Sequence, residues 1–431
     1  MSRPGILPFV TDARLRTMPE ARIVEHLVFH GWERAARDVD LEGPRRVAVE
    51  ALARWRALGL PAIRDADGGL FYDPAEVFLC MRWAGRKADD PFWRPHHVAI
   101  ERARLFSFHP PGTPRDTPPP IAALPPRRFT VTVERRFHPR YLAANARLRL
   151  PLPYEDAAAR DVEVTLHPLD AQGEVHIAPG HAELRLAVEP AATVTLGARS
   201  SFIAAPYAPP REVTPLTAAE RELYLRRSEE LVQVTPAIVA LTEDLVRGIP
   251  EPMVRVRRFF DYLLDRLDFG PFPYEWLDAR EPLIVPREIG WFDCRLAAAM
   301  LVAMCRVGGI PARRASGYLI YPECAGYHWW IEVWLDDAGW VPVDTWVGEL
   351  SASGHDVPWR STLFGALDYR MKSEVLPRVF NRSPGVVLPP VWRILERDVG
   401  GATEIAVVDI ATNDNVWADT IRIEMGEVAP A

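Results

Sequence analysis

Gly290-Trp291-Phe292-Asp293-Cys294-Arg295-Leu296-Ala297-Ala298-Ala299-Met300 opens a stretch that closes on Asp344-Thr345-Trp346. Between them come Gly309-Ile310-Pro311-Ala312-Arg313, Ser316-Gly317-Tyr318, Tyr327-His328-Trp329-Trp330-Ile331-Glu332-Val333-Trp334-Leu335 and Gly339-Trp340-Val341-Pro342-Val343. A cysteine, a histidine and an aspartate follow one another here, 34 and then 16 residues apart. Residues 294–307 read as an apolar helix closed by Gly308-Gly309, with Cys294 in its first turn. There the unpaired N–H groups and the helix dipole favour an anion, so the thiol ionises more easily. His328 lies in a run of aromatic and β-branched residues that reads as a strand, and Asp344 ends a second such run after the turn Asp336-Asp337-Ala338-Gly339. A two-strand hairpin brings His328 and Asp344 side by side and offers the pair to the helix start. That is the nucleophile, base and orienter order of covalent acyl transfer.

These ordered elements resemble the transglutaminase-like superfamily, whose core relates to papain-type cysteine proteases. The matching residues are Gly290, Cys294, Gly309 to Arg313, Ser316 to Tyr318, His328, Trp330, Glu332, Val333, Gly339 to Val341 and Asp344. The motif covers about 57 residues, and a looser likeness reaches upstream to about residue 127. Three positions depart from the family's usual pattern: Thr345-Trp346 follow the aspartate, Trp329 follows the histidine, and Gly290 stands four residues before the cysteine. The resemblance implies a Cys294 nucleophile, a His328 base and an Asp344 orienter, with no metal and no cofactor. It also implies an indole N–H beside the Cys294 backbone N–H in the oxyanion hole, for which Trp276 and Trp291 are the candidates. Phe292, Trp329 and Trp346, with Trp291, flank the three catalytic positions and are candidates for an apolar substrate cleft. Alternation along the strand points Trp329 away from His328.

The implied activity is acyl transfer through a Cys294 thioester from a peptide, amide or acyl-thioester substrate. Water as acceptor makes a peptidase or amidase, and an amine makes a transglutaminase or amide synthase. Relatives in secondary metabolism form amides or close rings from carrier-protein thioesters. A binding module that keeps the scaffold without turnover is the alternative of a different class.

Around this stretch, 431 residues are too many for one ordinary domain. A net charge of −7 excludes a nucleic-acid partner as the natural reading. No apolar run approaches a membrane span, and the first twenty residues hold no apolar signal region, so the reading is a cytoplasmic protein. The four cysteines, Cys80, Cys294, Cys305 and Cys324, show no zinc spacing. His96-His97 are adjacent and so cannot face one metal from a regular helix or strand. Only two of the 51 basic residues are lysines, Lys87 and Lys372, as a GC-rich genome would give.

Four regions follow. Residues 1–109 read as mostly helical, with Ile23, Val24, Leu27, Val28 and Trp32 at helical spacing and a helix start at Asp73-Pro74-Ala75-Glu76. Residues 110–126 hold eight prolines and read as a stiff linker. Residues 127–207 alternate with period two and read as an antiparallel β-sandwich-like domain. Residues 208–431 read as a transglutaminase-like catalytic domain of papain-like core and antiparallel sheet. Within it are a capping box at Thr217 to Glu220, helices from Pro236 and Pro252, and an irregular loop over 268–289. A terminal hairpin packs on the core sheet or lengthens it. The fold class is α+β.

Overall fold

The computed structural model describes residues 17–31, 42–74, 76–77, 80, 102–143, 145–167, 173–187, 190–269, 272, 274, 277–278, 280–322, 325–350, 357–375, 385–389, 392–409, 412 and 414–428. The fold is mixed α and β with several antiparallel sheets. Two compact units are formed, one from Met1–Ala103, Leu225–Ile310 and Thr345–Ser361, the other from Arg104–Tyr224, Pro311–Asp344 and Thr362–Ala431. Among the described residues no helix is long and apolar enough to cross a membrane.

The first unit is helical. Helix α1, Glu20–Gly31, buries Ile23, Val24 and Leu27, and α2, Glu42–Ala57, buries Ala48, Ala51, Leu52 and Trp55. Leu58 lies past the helix end and is exposed. Of the expected helix start at 73–76, the Val77 N–H bonds the Asp73 carbonyl at 3.1 Å. Val28, Trp32, His96 and His97 carry readings that lie outside the described residues or side chains.

Helix α3, Pro236–Leu245, is capped by the Thr235 hydroxyl, which accepts from the Ile238 N–H. Helix α4, Pro252–Arg266, buries Val256, Phe259, Phe260, Leu263 and Leu264 on one stripe. The segment read as an irregular loop contains a further helix, α5, Ile284–Ile289. Pro286 sits in its first turn, where no backbone N–H is needed, and so does not break it.

Helix α6, Cys294–Val307, is buried from Leu296 to Arg306. Its end explains the glycine-isoleucine-proline run. Gly309 takes φ 74°, its N–H bonds the Arg306 carbonyl at 3.2 Å, and the Ile310 N–H bonds the Cys305 carbonyl at 2.9 Å. This doubly bonded left-handed cap requires a residue without Cβ, and the proline after it cannot resume the helix.

The second unit holds the larger sheets. Its strands are β1 (Arg127–Phe137), β2 (Arg147–Pro151), β3 (Ala159–Leu166), β4 (Gly173–Ala178), β5 (His181–Leu186) and β6 (Val194–Ala204). They continue as β7 (Ala312–Leu319), β8 (Gly326–Leu335), β9 (Gly339–Val343), β10 (Arg370–Val375), β11 (Trp392–Asp398), β12 (Thr403–Asp409) and β13 (Asn415–Glu427).

A four-stranded sheet runs β9-β8-β7-β10, a six-stranded sheet β11-β12-β13-β1-β6-β3, and a three-stranded sheet β2-β5-β4. The terminal hairpin therefore pairs with the strands of residues 127–207 and does not lengthen the four-stranded sheet, against which it packs through Asp419 and Thr403. Strand β13 pairs with β1 along its whole length, from Trp417 opposite Phe137 to Glu427 opposite Arg127. Period-two alternation identifies the face a strand buries but not its neighbour, which is why the sequence left the partner open. The proline-rich stretch is packed as well, with Ile121 and Leu124 buried and the Pro125 carbonyl accepting from the Tyr369 hydroxyl.

Arg135 occupies an inward position of β1 among Phe129, Val131, Val133 and Phe137. Its guanidinium reaches both Asp419 carboxylate oxygens at 2.5 and 2.6 Å, and the Tyr318 hydroxyl donates to the same carboxylate at 2.6 Å. Tyr318 lies on β7, so this buried pair ties the four-stranded sheet to the six-stranded one. Gly317, beside it, stands where β7 shifts register against β10. A Cβ there would come within 1.9 Å of the Met371 carbonyl oxygen. Close backbone approach at a bulge is the role that glycine plays in the Ser-Gly-Tyr run.

Candidate active site

In the helical unit, Cys294 is the first residue of α6 and is half-buried. Asp293 before it is the N-cap. One of its carboxylate oxygens accepts from the Leu296 N–H at 2.8 Å and the other from the Tyr274 hydroxyl at 2.7 Å. A capping aspartate satisfies one of the open helix donors and fixes where the helix begins, and hence where the thiol projects. Burial pushes the Asp293 carboxyl up, opposed by the Leu296 N–H and the Tyr274 hydroxyl. Burial, with the Asp293 carboxylate next, holds the Tyr274 hydroxyl well above its usual range. Arg295, the residue after the nucleophile candidate, pairs with Glu230 and lies 5.6 Å from the Tyr274 ring centroid. The signal for Asp293 was an N-cap residue immediately before an apolar run. Nothing in the sequence paired it with Tyr274, nineteen residues upstream.

In the sheet unit, β8 and β9 pair from Ile331 opposite Val343 to Leu335 opposite Gly339. Asp344 is the next residue along, with its N–H bonded to the Leu363 carbonyl at 3.0 Å. Its side chain is fully buried and meets His328 Nε2, with the two carboxylate oxygens at 2.9 and 3.0 Å. An ionised carboxylate only accepts, so Nε2 carries the proton and Nδ1 is the nitrogen left to act as a base. The sequence placed these two residues near each other but could not say which nitrogen faces the aspartate.

The aromatic candidates separate. Trp330 shares the face of His328, with ring centroids 6.5 Å apart, while Trp329 packs against Tyr327 on the opposite face and under Arg314. Trp329 therefore cannot line the surface that His328 faces. Phe292 is fully buried, and Trp346 is 3 % exposed. The Trp291-Phe292 backbone pairs in parallel with Asp268-Phe269. The Trp291 side chain, Trp276 and Cys324 lie outside what is described. Among the described residues no cluster of histidine, cysteine and carboxylate side chains could hold a metal.

Two motif residues without an assigned role explain each other. Arg313 and Glu332 are directly opposed on β7 and β8, and their side chains meet at 2.7 Å. Lys372 on β10 meets the other Glu332 oxygen at 2.9 Å, and the Trp340 ring lies 3.9 Å from the Arg313 guanidinium. Burial works to raise the Glu332 carboxyl, but Lys372 and Arg313 outweigh it and bring it down to about 2. A depressed carboxyl contributes stability that is complete above its unfolded value, roughly 4.3, and lost as pH falls through the folded one. Between about pH 4.5 and pH 2 this residue is expected to cost the fold on the order of 3 kcal/mol. Thermal melts of wild type and Glu332→Gln across that window check it: the variant is less stable at pH 7 and its stability falls less steeply with acid. Equal slopes would remove the ion pair from the account.

Residues 239–345 match the family model of the transglutaminase-like superfamily. This segment is a transglutaminase-like core. It carries the cysteine, histidine and aspartate described above, with the Gly309 helix cap and the Gly317 bulge. Among solved structures, one described as a proposed cysteine protease of Cytophaga hutchinsonii is 12 % identical, with a TM-score of 0.42 over 71 % of this chain and 92 % of that one. The periplasmic domain of TgpA from Pseudomonas aeruginosa is 16 % identical, with a TM-score of 0.30 over 51 % of this chain and 88 % of that one. Neither likeness carries a role to any residue of the transglutaminase-like core. No curated protein matches the chain.

Proposed function

We propose that the protein is a cysteine-dependent acyl-transfer enzyme in which Cys294 is the nucleophile, His328 the base and Asp344 its orienter. The family match supports a cysteine-dependent enzyme. The observation that carries the finer reading is the buried His328–Asp344 pair with Nε2 bonded to the carboxylate. In this reading His328 Nδ1 takes the thiol proton, and the Cys294 thiolate attacks an amide or thioester carbonyl. The leaving amine or thiol departs with that proton, and a thioester remains on Cys294. Asp344 holds the tautomer and steadies the imidazolium. The Cys294 N–H, with Trp276 or Trp291, faces the oxyanion. Water or an amine then releases the acyl group. A cytoplasmic setting, where thiols stay reduced, goes with this reading.

Trp291 and Trp346 favour an apolar acyl group over a polar side-chain amide, because burial of apolar surface drives binding at about 25 cal/mol per Å². Trp329 drops out of this cleft, because it lies on the far face of its strand. A carrier protein presenting such a thioester is the partner this reading favours. Medium-chain or aromatic acyl thioesters are expected to acylate Cys294 faster than glutamine-containing peptides do. Trp291→Ala or Trp346→Ala is expected to raise KM for them about tenfold, the equivalent of roughly 1.4 kcal/mol. Acylation rates followed by intact mass check both. Glutamine peptides reacting at least as fast, with neither tryptophan mattering, would remove the apolar donor.

A further inference from the structure

Behind the His328–Asp344 pair lies a second charged layer. Arg370, on β10, places Nη2 3.5 Å from Asp344 Oδ2 and 2.9 Å from Asp368 Oδ1. The Tyr321 hydroxyl donates to the other Asp368 oxygen, and Arg370 Nη1 approaches that hydroxyl at 3.5 Å. Asp344, Asp368, Arg370 and Tyr321 are all buried. Among the groups facing Asp344 are His328 from β8, Arg370 from β10 and, through Arg370, Asp368 and Tyr321 from the segments flanking β10 and β7.

One guanidinium stands between two carboxylates. With a neutral imidazole the cluster carries one net negative charge, and with an imidazolium it carries none. A net charge in a poorly polarisable interior is costly, so protonating His328 relieves it. We propose that Arg370 and Asp368 are positioning residues for Asp344: Arg370 anchors its carboxylate, and Asp368 supplies the extra negative charge that favours the imidazolium. This rests on the roles proposed above for His328 and Asp344. Burial pushes the Asp368 carboxyl up, opposed by Arg370 and the Tyr321 hydroxyl. The proposal requires that Asp368 nevertheless be ionised at neutral pH.

The two residues then have opposite signatures. Asp368→Asn leaves Arg370 to cancel Asp344, so His328 protonates less readily. Arg370→Gln leaves two carboxylates, so it protonates more readily. The experiment is an NMR titration of the histidine rings in the full chain, with His328 assigned by the signal lost in His328→Gln. The His328 midpoint is expected to fall by about one pH unit in Asp368→Asn, to rise by a similar amount in Arg370→Gln, and to return to within a few tenths of wild type in the double variant. Arg370→Lys, which keeps the charge, is expected to stay near wild type. If Arg370→Gln does not fold, Asp368→Asn against Arg370→Lys still decides. Movement of both single variants in one direction, or an unmoved midpoint in Asp368→Asn, would overturn the proposal, since a purely structural role predicts those outcomes. The titrations are made in the Cys294→Ala background, where no thiol titrates with the imidazole, so a failure of acyl transfer and a failure of this charge balance are separable.

Discussion

Replacing Cys294 by alanine is expected to lower acyl-transfer activity by at least about 10⁴-fold while leaving the fold in place. The loss follows from removing the only atom that can form the thioester, and nucleophile deletion in serine triads costs as much or more. The fold is spared because Cys294 is half-buried at the first helical position and stands outside the buried run from Leu296 to Arg306. The capping bonds from Asp293 to the Leu296 N–H and from Tyr274 to Asp293 do not involve it. Circular dichroism melts alongside turnover separate the two effects. Activity within tenfold of wild type in a folded Cys294→Ala protein would end the covalent mechanism.

Asp344→Asn is expected to cost about 10⁴-fold in kcat, by analogy with the same change in serine triads. The carboxylate accepts from His328 Nε2 through both oxygens. An amide that turns its NH₂ toward Nε2 would demand the other tautomer, with the proton on Nδ1, and an Nδ1–H cannot take a proton from the thiol. Arg370 would also lose one of its two carboxylate partners. His328→Ala is expected to be at least as damaging. Full rate in Asp344→Asn with loss in His328→Ala would mean that another group orients the imidazole. Asp336 is not that group, since it is exposed and engaged with Arg221 and the Trp334 indole.

Local signals in the sequence translated into structure where the physics is local. Thr217 and Glu220 make the reciprocal bonds of a capping box, and Thr235 caps α3 as its position before Pro236 implied. The hairpin that joins His328 to Asp344 followed from two β-rich runs and a turn. What stayed hidden depends on pairing between distant strands. The Arg313–Glu332–Lys372 cluster needs the register of three strands to be known, and Arg370 and Asp368 are 26 and 24 residues from the aspartate they flank. Likewise the terminal hairpin was legible as strands, but β1 as its neighbour was not, and β11 was not read at all. Helix α5, inside the segment read as an irregular loop, has only six residues, too few to show a helical period, and its Pro286 stands in the first turn where proline is tolerated.

Competitive alkylation resolves the central claim, that Cys294 is an activated thiol served by His328. The full chain is treated with limiting iodoacetamide at neutral pH, and the label on each cysteine-bearing peptide is quantified by mass spectrometry. Burial and Glu76 push the Cys80 thiol up, and burial pushes Cys305 up, so both are slow internal references. Cys294 is expected to react at least about 100-fold faster than either, and to lose most of that advantage in His328→Ala. Labelling of Cys294 no faster than Cys80, or a rate unchanged by His328→Ala, would contradict the assignment.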